Sequence, residues 1–246
     1  MFYPANLRKS VAIAKKDLRI YYGKGPVAIF GILLPFFFFF SFLIGREMPP
    51  LTLISGLGGM AIWFTATSIS PIIAPMETRT RTLERLVSMP LSVIEMLFGD
   101  ILASTATGVV LSAIPISIIA VILNLNLVHF LPLALGIIVA SFCFSAIGIL
   151  MSALPTDTTS DVMMLALLIK FPLIFVSGVF IPASNLPDWG RAISRFSPLT
   201  YFVDLVRVSF GGNGQPWMNL GILTLFAVFF LFAAVFVHKR TLPKRL

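Results

Sequence analysis

Long apolar runs, separated by short polar or charged segments, make up most of this chain. An apolar run of about 20 residues forms a helix long enough to cross the hydrocarbon core of a lipid bilayer. The chain contains six runs of this kind. The pattern therefore predicts an all-α integral membrane protein with six spans, at about residues 26–44, 51–74, 92–123, 131–154, 161–181 and 218–237.

Small and hydroxyl-bearing residues are concentrated in the second and fourth predicted spans. Because small residues let helix backbones approach closely, we expect both spans to face protein. For the second span, a lining of the substrate path is the alternative. The first span instead contains the run Phe36 to Phe40, which favours contact with lipid.

Residues 7–22 have the spacing of an amphipathic helix. With one apolar and one basic side, this helix is expected to lie in the membrane interface. The apolar run after it is long enough to span a bilayer and is followed by no small-residue cleavage site, so we expect no signal-peptide cleavage. The apolar side holds Leu7, Val11, Ala14, Leu18 and Tyr21, and the basic side Arg8, Lys9, Lys15, Lys16 and Arg19.

A charged segment, ETRTRTLERLVSMP, occupies residues 77–90 between the second and third spans. Leu83, Leu86 and Pro90 recur at intervals of three and four, which predicts one short helix with a narrow apolar stripe. Pro90 disfavours helix at Met89 and ends it there. Such a rigid helix suits docking on a soluble partner, and an interfacial loop with solvated charges is the alternative. Its charged positions are Glu77, Arg79, Arg81, Glu84 and Arg85.

Charged residues also occur in or near the third and fifth spans. Ser92 and Glu95 form a capping-box pattern that begins the third span. This span exceeds the thickness of the bilayer core, so its first turns, with Glu95 and Asp100, are expected to protrude into the cytoplasm. Lys170 falls near the middle of the fifth span, where an ammonium group is costly. We expect it either to pair with Asp100 or Glu95 or to contact the substrate.

Residues 182–217 are too many for a simple connection between the last two spans. Two short helices fit this stretch, one near 186–195 and one at 198–210. The second reaches only part of the way across a bilayer, which predicts a re-entrant or interface-lying helix.

The ends of that second helix carry recognisable signals. Ser197 is the expected N-cap, Pro198 the first helical residue and Gly211 the C-terminal glycine. Asp204 and Arg207, three residues apart, are predicted to pair with each other.

The composition excludes a soluble domain. Hydrophobic residues make up 58% of the chain and charged residues 11%, with a mean hydropathy of +0.99. So few polar side chains cannot cover a soluble surface. We interpret residues 1–246 as one membrane domain, comprising an interfacial segment (1–25), the spans (26–237) and a basic tail (238–246).

The net charge of +8 is explained by membrane topology rather than by nucleic-acid binding. Six spans put both termini on one side, where thirteen Lys or Arg residues collect, against four on the other. By the positive-inside rule, the termini and the 77–90 segment are cytoplasmic, in a cell membrane.

Candidate catalytic chemistry is absent from the sequence. The chain has no glycine-rich phosphate-binding loop, no nucleophile or acid–base cluster, and a single cysteine, Cys143, inside an apolar run. We therefore expect a non-enzymatic chain without a metal site or cofactor of its own.

Two stretches resemble the type-2 ABC transporter permeases, a family of prokaryotic exporter subunits. The segment at 77–90 is similar to the family's coupling helix, although the family often has glycine where this chain has Arg81. The stretch FVSGVFIPASNLPDWGRAISRFSPLTYFVDLVR, residues 175–207, is similar to the pattern that follows the family's fifth span.

The resemblance implies a partner subunit that binds ATP and Mg²⁺ and hydrolyses the nucleotide. Two ATPase copies would serve two permease subunits, expected to be a homodimer, and cargo would be a drug, polysaccharide or lipid-like molecule. Leu83 and Leu86 would contact the ATPase, and Glu84 and Arg85 would orient it. The implied docking residues are Glu77, Arg81, Leu83, Glu84, Arg85, Leu86 and Pro90, and the implied outer gate residues are Pro182, Pro187, Pro198, Tyr201, Asp204 and Arg207.

Two other functions are open on the residues alone. An ion-coupled secondary transporter would use Lys170, Asp100 and Glu95 as coupling groups. A membrane scaffold would transport nothing.

Overall fold

The structure, a computed structural model, describes residues 7–22, 29, 33–44 and 47–241. Regular elements in these ranges are all helical, as the apolar pattern predicts. The helices are α1 (Leu7–Asp17, continued by a π-helical turn at Leu18–Tyr22), α2 (Leu34–Leu43), α3 (Pro50–Ala66), α4 (Ile73–Arg79), α5 (Thr82–Ser88), α6 (Val93–Ile122), α7 (Phe130–Met151), α8 (Thr159–Val176), α9 (Asp188–Ser194), α10 (Pro198–Ser209) and α11 (Pro216–Thr241).

Five helical segments in the described ranges are long and apolar enough to cross a membrane. They correspond to the second to sixth predicted spans. Much of the first predicted span, at residues 26–44, lies outside the described residues, so the sixth crossing stays a prediction. The five segments are Pro50–Arg79, Val93–Ile122, Phe130–Met151, Thr159–Val176 and Pro216–Thr241.

The second predicted span is interrupted near its end. Helix α3 stops at Ala66, and a 3-10 turn at Ser70–Ile72 separates it from α4. Pro71, in this turn, has no N–H to donate. Pro71 therefore leaves the Thr67 carbonyl without a backbone donor, and the neighbouring Ala66 carbonyl accepts hydrogen bonds from Ser70 Oγ at 3.1 Å and from Ser104 Oγ of α6 at 2.6 Å. Side chains therefore satisfy the carbonyl groups that the interrupted helix leaves open.

Helix α3 lies at the centre of the core, packed against α6, α7 and α10. Trp63 of α3 meets Phe144 of α7 edge to face, with ring centroids 4.8 Å apart. A Cβ added to Gly59 would lie 2.6 Å from Val203 Cγ2, and one on Gly136 only 2.1 Å from Leu205 Cδ2. Glycine thus permits the close helix packing expected of the second and fourth spans.

The outer surface is largely apolar. Exposed side chains include Phe37 on α2, Leu168 on α8 and Phe232 on α11, each with at least 69% of its surface accessible. A broad apolar exterior of this kind suits a surrounding of lipid tails.

Candidate functional site

The 77–90 segment forms two helices rather than the predicted single one. Helix α4 ends at Arg79 and α5 begins at Thr82, with Arg81 between them at φ 54°. The Thr80 hydroxyl donates to the Met76 carbonyl at 2.8 Å and lies 2.9 Å from the Thr82 hydroxyl. The backbone bond from Thr80 N to the Met76 carbonyl is kept, but Arg81 N donates to the Thr78 carbonyl at 3.1 Å and its left-handed conformation ends the helix, so the prediction of one rigid helix was wrong.

Helix α5 has two different sides. Leu83 and Leu86 are only 3% and 6% exposed, and they pack with Ile13 of α1 and Met96 of α6. The structure thus corrects their expected role: the two leucines anchor α5 to its own chain instead of presenting themselves to a partner. Periodicity revealed the apolar stripe but not the α1 side chain that covers it. The exposed side of α5 holds Glu84, Arg85, Val87 and Ser88, and Arg81, Met89 and Pro90 are exposed next to its ends.

The end of the segment is also tied to α1 and α6. Lys9 Nζ donates to the Pro90 carbonyl at 2.6 Å and lies 3.9 Å from the Glu95 carboxylate. The predicted capping box is confirmed, since Ser92 N donates to Glu95 Oε2 at 2.7 Å and Glu95 N donates to Ser92 Oγ at 3.2 Å. Helix α6 therefore begins at a defined point beside α5.

Glu77 is buried rather than presented to a partner. It forms an ion pair with Lys16 of α1, whose ammonium also lies 2.9 Å from the Asp17 carboxylate. Asp100 of α6, also buried, is close enough to interact with Asp17, Glu77 and Lys16. Burial lowers the pKa of Lys16, but the negative charges of Glu77 and Asp17 outweigh it and hold that pKa above its usual range. This charged cluster joins α1, α4 and α6.

The expected apolar side of the N-terminal helix divides in two. Leu7 and Val11 are exposed, whereas Ala14 is buried together with Ile13 against α6. A Cβ on Gly99 of α6 would lie 2.6 Å from Ile13 Cβ and 2.8 Å from the Ser10 carbonyl oxygen, so the two helices touch backbone to backbone. Neither Ile13 nor Asp17 was predicted from the sequence as a residue that holds this helix in place. The signal that could have identified them is that one acidic and one apolar residue occur on a helix side that is otherwise basic.

The 182–217 stretch contains the two predicted helices, α9 and α10. Asp204 and Arg207 form the predicted pair, with Nη1 and Oδ1 2.9 Å apart. Gly211 follows α10 at φ 95°, the left-handed conformation of a C-terminal glycine. Ser197 stands at the N-cap position but makes no capping bond, because its hydroxyl lies 2.7 Å from that of Ser177.

The other residues predicted for the outer gate lie in α10 or before it. Pro198 is its buried first residue, and Tyr201 donates from its hydroxyl to the Arg195 carbonyl at 2.9 Å. Pro182 is half-buried and Pro187 is exposed at the start of α9. The buried side of α10 packs on α3 and α7, so this short helix is part of the core.

Lys170 does not pair with Asp100 or Glu95. Its Nζ donates to the Thr67 carbonyl at 2.6 Å, just beyond the end of α3. A cation at this end of a helix interacts favourably with the helix dipole. Lys170 and Asp100 thus occupy separate surroundings and form no shared ion-coupling site. No group of three or more His, Cys, Asp or Glu in the described ranges could hold a metal ion.

The apolar helices define an integral membrane protein. Residues 51–236 match the family model described as ABC-2 family transporter protein. The chain therefore belongs to the ABC-2 transporter family, the family that its sequence resembles, and is an ABC transporter permease.

Two of the similar proteins are a nodulation protein and an inner membrane transport permease. Nodulation protein J of Rhizobium leguminosarum bv. viciae is 28% identical over 169 residues, covering 65% of this chain and 62% of that protein. The inner membrane transport permease YadH of Escherichia coli K12 is 24% identical over 152 residues, covering 61% of this chain and 59% of that protein. Both matches cover less than two thirds of the relative's length.

Proposed function

We propose that this chain is the membrane subunit of an ATP-driven exporter and that a separate ATPase subunit docks on the exposed side of α5. The observation that carries the proposal is the two-sided character of α5. Leu83 and Leu86 fasten the helix to the permease, while Glu84, Arg85 and Val87 remain open to solvent. A charged, exposed helix that is packed against its own chain can bind a soluble protein and transmit the movement of that protein to the membrane helices.

Motion of α5 would reach the membrane helices by two routes. The first passes through Leu83 and Leu86 to Met96 at the start of α6. The second passes through Ile13 and Lys16 on α1, and Lys16 is ion-paired with Glu77 at the end of the second span. Closure of the partner around ATP would thereby tilt the second and third spans together and exchange inward-open and outward-open packings.

The complete transporter would contain two copies of this chain and two ATPase subunits, with ATP and Mg²⁺ held by the ATPase. Both termini and α5 would lie in the cytoplasm, and α9 and α10 would close the path on the outer side. The many Phe, Leu and Ile side chains of the spans suit an amphipathic or lipid-like cargo.

Copurification with the ATPase subunit tests the docking surface. In Glu84→Arg and Val87→Asp variants, we expect at least about a tenfold loss of bound ATPase. Glu84→Arg reverses a charge that would pair with the partner, and Val87→Asp replaces an apolar contact with a charged side chain. Asp188→Arg, a charge reversal of an exposed residue on α9, is the matched control and should retain the partner. Normal recovery of the ATPase with both α5 variants would refute docking at this surface.

A further inference from the structure

We propose that Lys170 marks a binding pocket for an anionic amphiphile, a molecule with one carboxylate or phosphate group on an apolar tail. The pocket lies among α2, α8 and the end of α3. The proposal refines the cargo class of the proposed exporter and rests on that function for its physiological meaning, but the binding itself needs no partner subunit.

The ammonium group of Lys170 has unused hydrogen-bonding capacity. The residue is 6% exposed, and among the described residues its Nζ makes one hydrogen bond, to the Thr67 carbonyl. The ring of Phe64 lies 6.0 Å away, at the limit of a cation–π contact. Because an ammonium carries three N–H donors, two of them are left for another ligand.

No Asp or Glu side chain of this protein neutralises that charge. All ten Asp and Glu residues fall within the described ranges, and none forms an ion pair with Lys170. Every other buried charged group described above has an oppositely charged neighbour or interacts with one. A buried cation without a counter-charge is costly at membrane depth, so a bound anion would stabilise it.

The cavity beside Lys170 sets the size and shape of the ligand. Its volume is about 50 Å³, which holds a carboxylate or part of a phosphate group but not a whole amphiphile. Leu34, Met163 and Leu167 lie along it, and Leu167 is 41% exposed. An anionic group therefore fits inside, with an attached apolar tail leaving along the outer side of α8.

The positive charge of Lys170 favours an anionic ligand over a neutral or a cationic one. A cationic head would meet Lys170 directly and be repelled. The charge and the two free N–H donors select an anion, and the apolar exit selects one that carries a tail.

Equilibrium binding to the purified permease in dodecyl maltoside tests the proposal. Radiolabelled dodecyl phosphate is the probe, and dodecanoate, dodecyltrimethylammonium and inorganic phosphate are competitors. We expect dodecanoate to compete, the cationic amphiphile not to compete, and inorganic phosphate to compete only weakly because it lacks a tail. If inorganic phosphate competed at the same concentration as dodecanoate, the site would bind a free anion rather than an amphiphile, and the proposal would be overturned.

Variants separate the pocket from the general surface charge. Lys170→Met should weaken dodecyl phosphate binding by about tenfold or more, the usual loss with a charged hydrogen bond, and Lys170→Arg should restore most of it. Lys15→Met removes an exposed positive charge elsewhere and is the matched control. Equal binding to the wild-type protein and Lys170→Met, or equal weakening by Lys15→Met, would overturn the proposal.

A second variant covers the case in which Lys170→Met does not fold. Leu167→Trp enlarges an exposed side chain at the mouth of the cavity and leaves Lys170 in place, so it should reduce binding without loss of folded protein. Unchanged binding in this variant would also count against the pocket. The assay contains no ATPase, so its failure would leave the docking proposal standing, and failed ATPase docking would leave the measured binding intact.

Discussion

Lys16 of α1 and Glu77 of α4 form a largely buried ion pair that links the N-terminal helix to the end of the second span. The two residues are sixty-one positions apart in the sequence. Their contact, with Asp17 and Asp100 beside it, makes α1 an integral part of the helix assembly rather than a separate interfacial attachment.

Replacement of Lys16 should destabilise the protein. In Lys16→Met, buried Glu77 and Asp17 lose their positive partner, which should lower the free energy of unfolding by about 3 kcal/mol. Chemical unfolding in detergent micelles measures this change. Lys15→Met, which alters the exposed neighbouring lysine, should stay within about 0.5 kcal/mol of the wild-type protein. Equal effects of both variants would contradict the assigned role of Lys16.

The Lys16 contribution has a defined pH dependence. The folded pKa of Lys16 stands above its ordinary value of 10.5. Its stabilising contribution is therefore complete below that ordinary value and is lost only as the pH rises through the folded pKa. The difference in unfolding free energy between the wild-type protein and Lys16→Gln should accordingly show no change from Lys16 titration between about pH 7 and pH 9.

The two sides of α5 should respond differently to truncation. Leu83→Ala removes a buried contact with Ile13 and Met96, and should lower the free energy of unfolding by about 2–3 kcal/mol. Val87→Ala alters the exposed side and should change it by less than about 0.5 kcal/mol. Unfolding curves of the two variants in the same detergent provide the measurement, and similar losses would show that Leu83 is not an anchor.

Arg81 holds a backbone conformation that favours glycine. At φ 54° a side chain is strained by about 1 kcal/mol, so Arg81→Gly should stabilise the turn between α4 and α5 by up to about that amount. Thr80→Gly, one residue earlier at φ −87°, should destabilise it because hydroxyl bonds are lost. A less stable Arg81→Gly protein would rule out this account.

Close contact at Gly99 should be sensitive to a single methyl group. Gly99→Ala would place a Cβ against Ile13 and the Ser10 carbonyl and should cost about 1–3 kcal/mol as α1 is pushed from α6. Faster tryptic cleavage after Lys15 and Arg19 would report the displaced helix. Gly221→Ala, where no atom lies within 4 Å of the added carbon, is the control and should cleave at the wild-type rate.

Features governed by neighbours in the sequence were predictable. The capping box of Ser92 with Glu95, and the pair of Asp204 with Arg207, both span three residues and follow from helical spacing alone. The apolar spans follow from the length of their hydrophobic runs. Such features depend on local geometry, which is the same in any fold.

Contacts between distant segments were not predictable. Lys170 reaches a carbonyl 103 residues earlier, and a backbone oxygen leaves no trace in the pattern of side chains. The stripe of Leu83 and Leu86 was visible, but lipid, a partner and the chain's own N-terminal helix are all apolar surfaces that such a stripe could cover. Only the three-dimensional position of Ile13 decides among them.

The interrupted end of α3 has a consequence for how this helix can move. Ala66 and Thr67 present carbonyl oxygens that are held by Ser104 of α6, Ser70 of the following turn and Lys170 of α8. Because the three donors come from separate segments, the end of α3 moves far only if these hydrogen bonds break or if their donors move with it. A rearrangement at this point therefore exchanges hydrogen-bond partners and takes the helix end from one discrete arrangement to another.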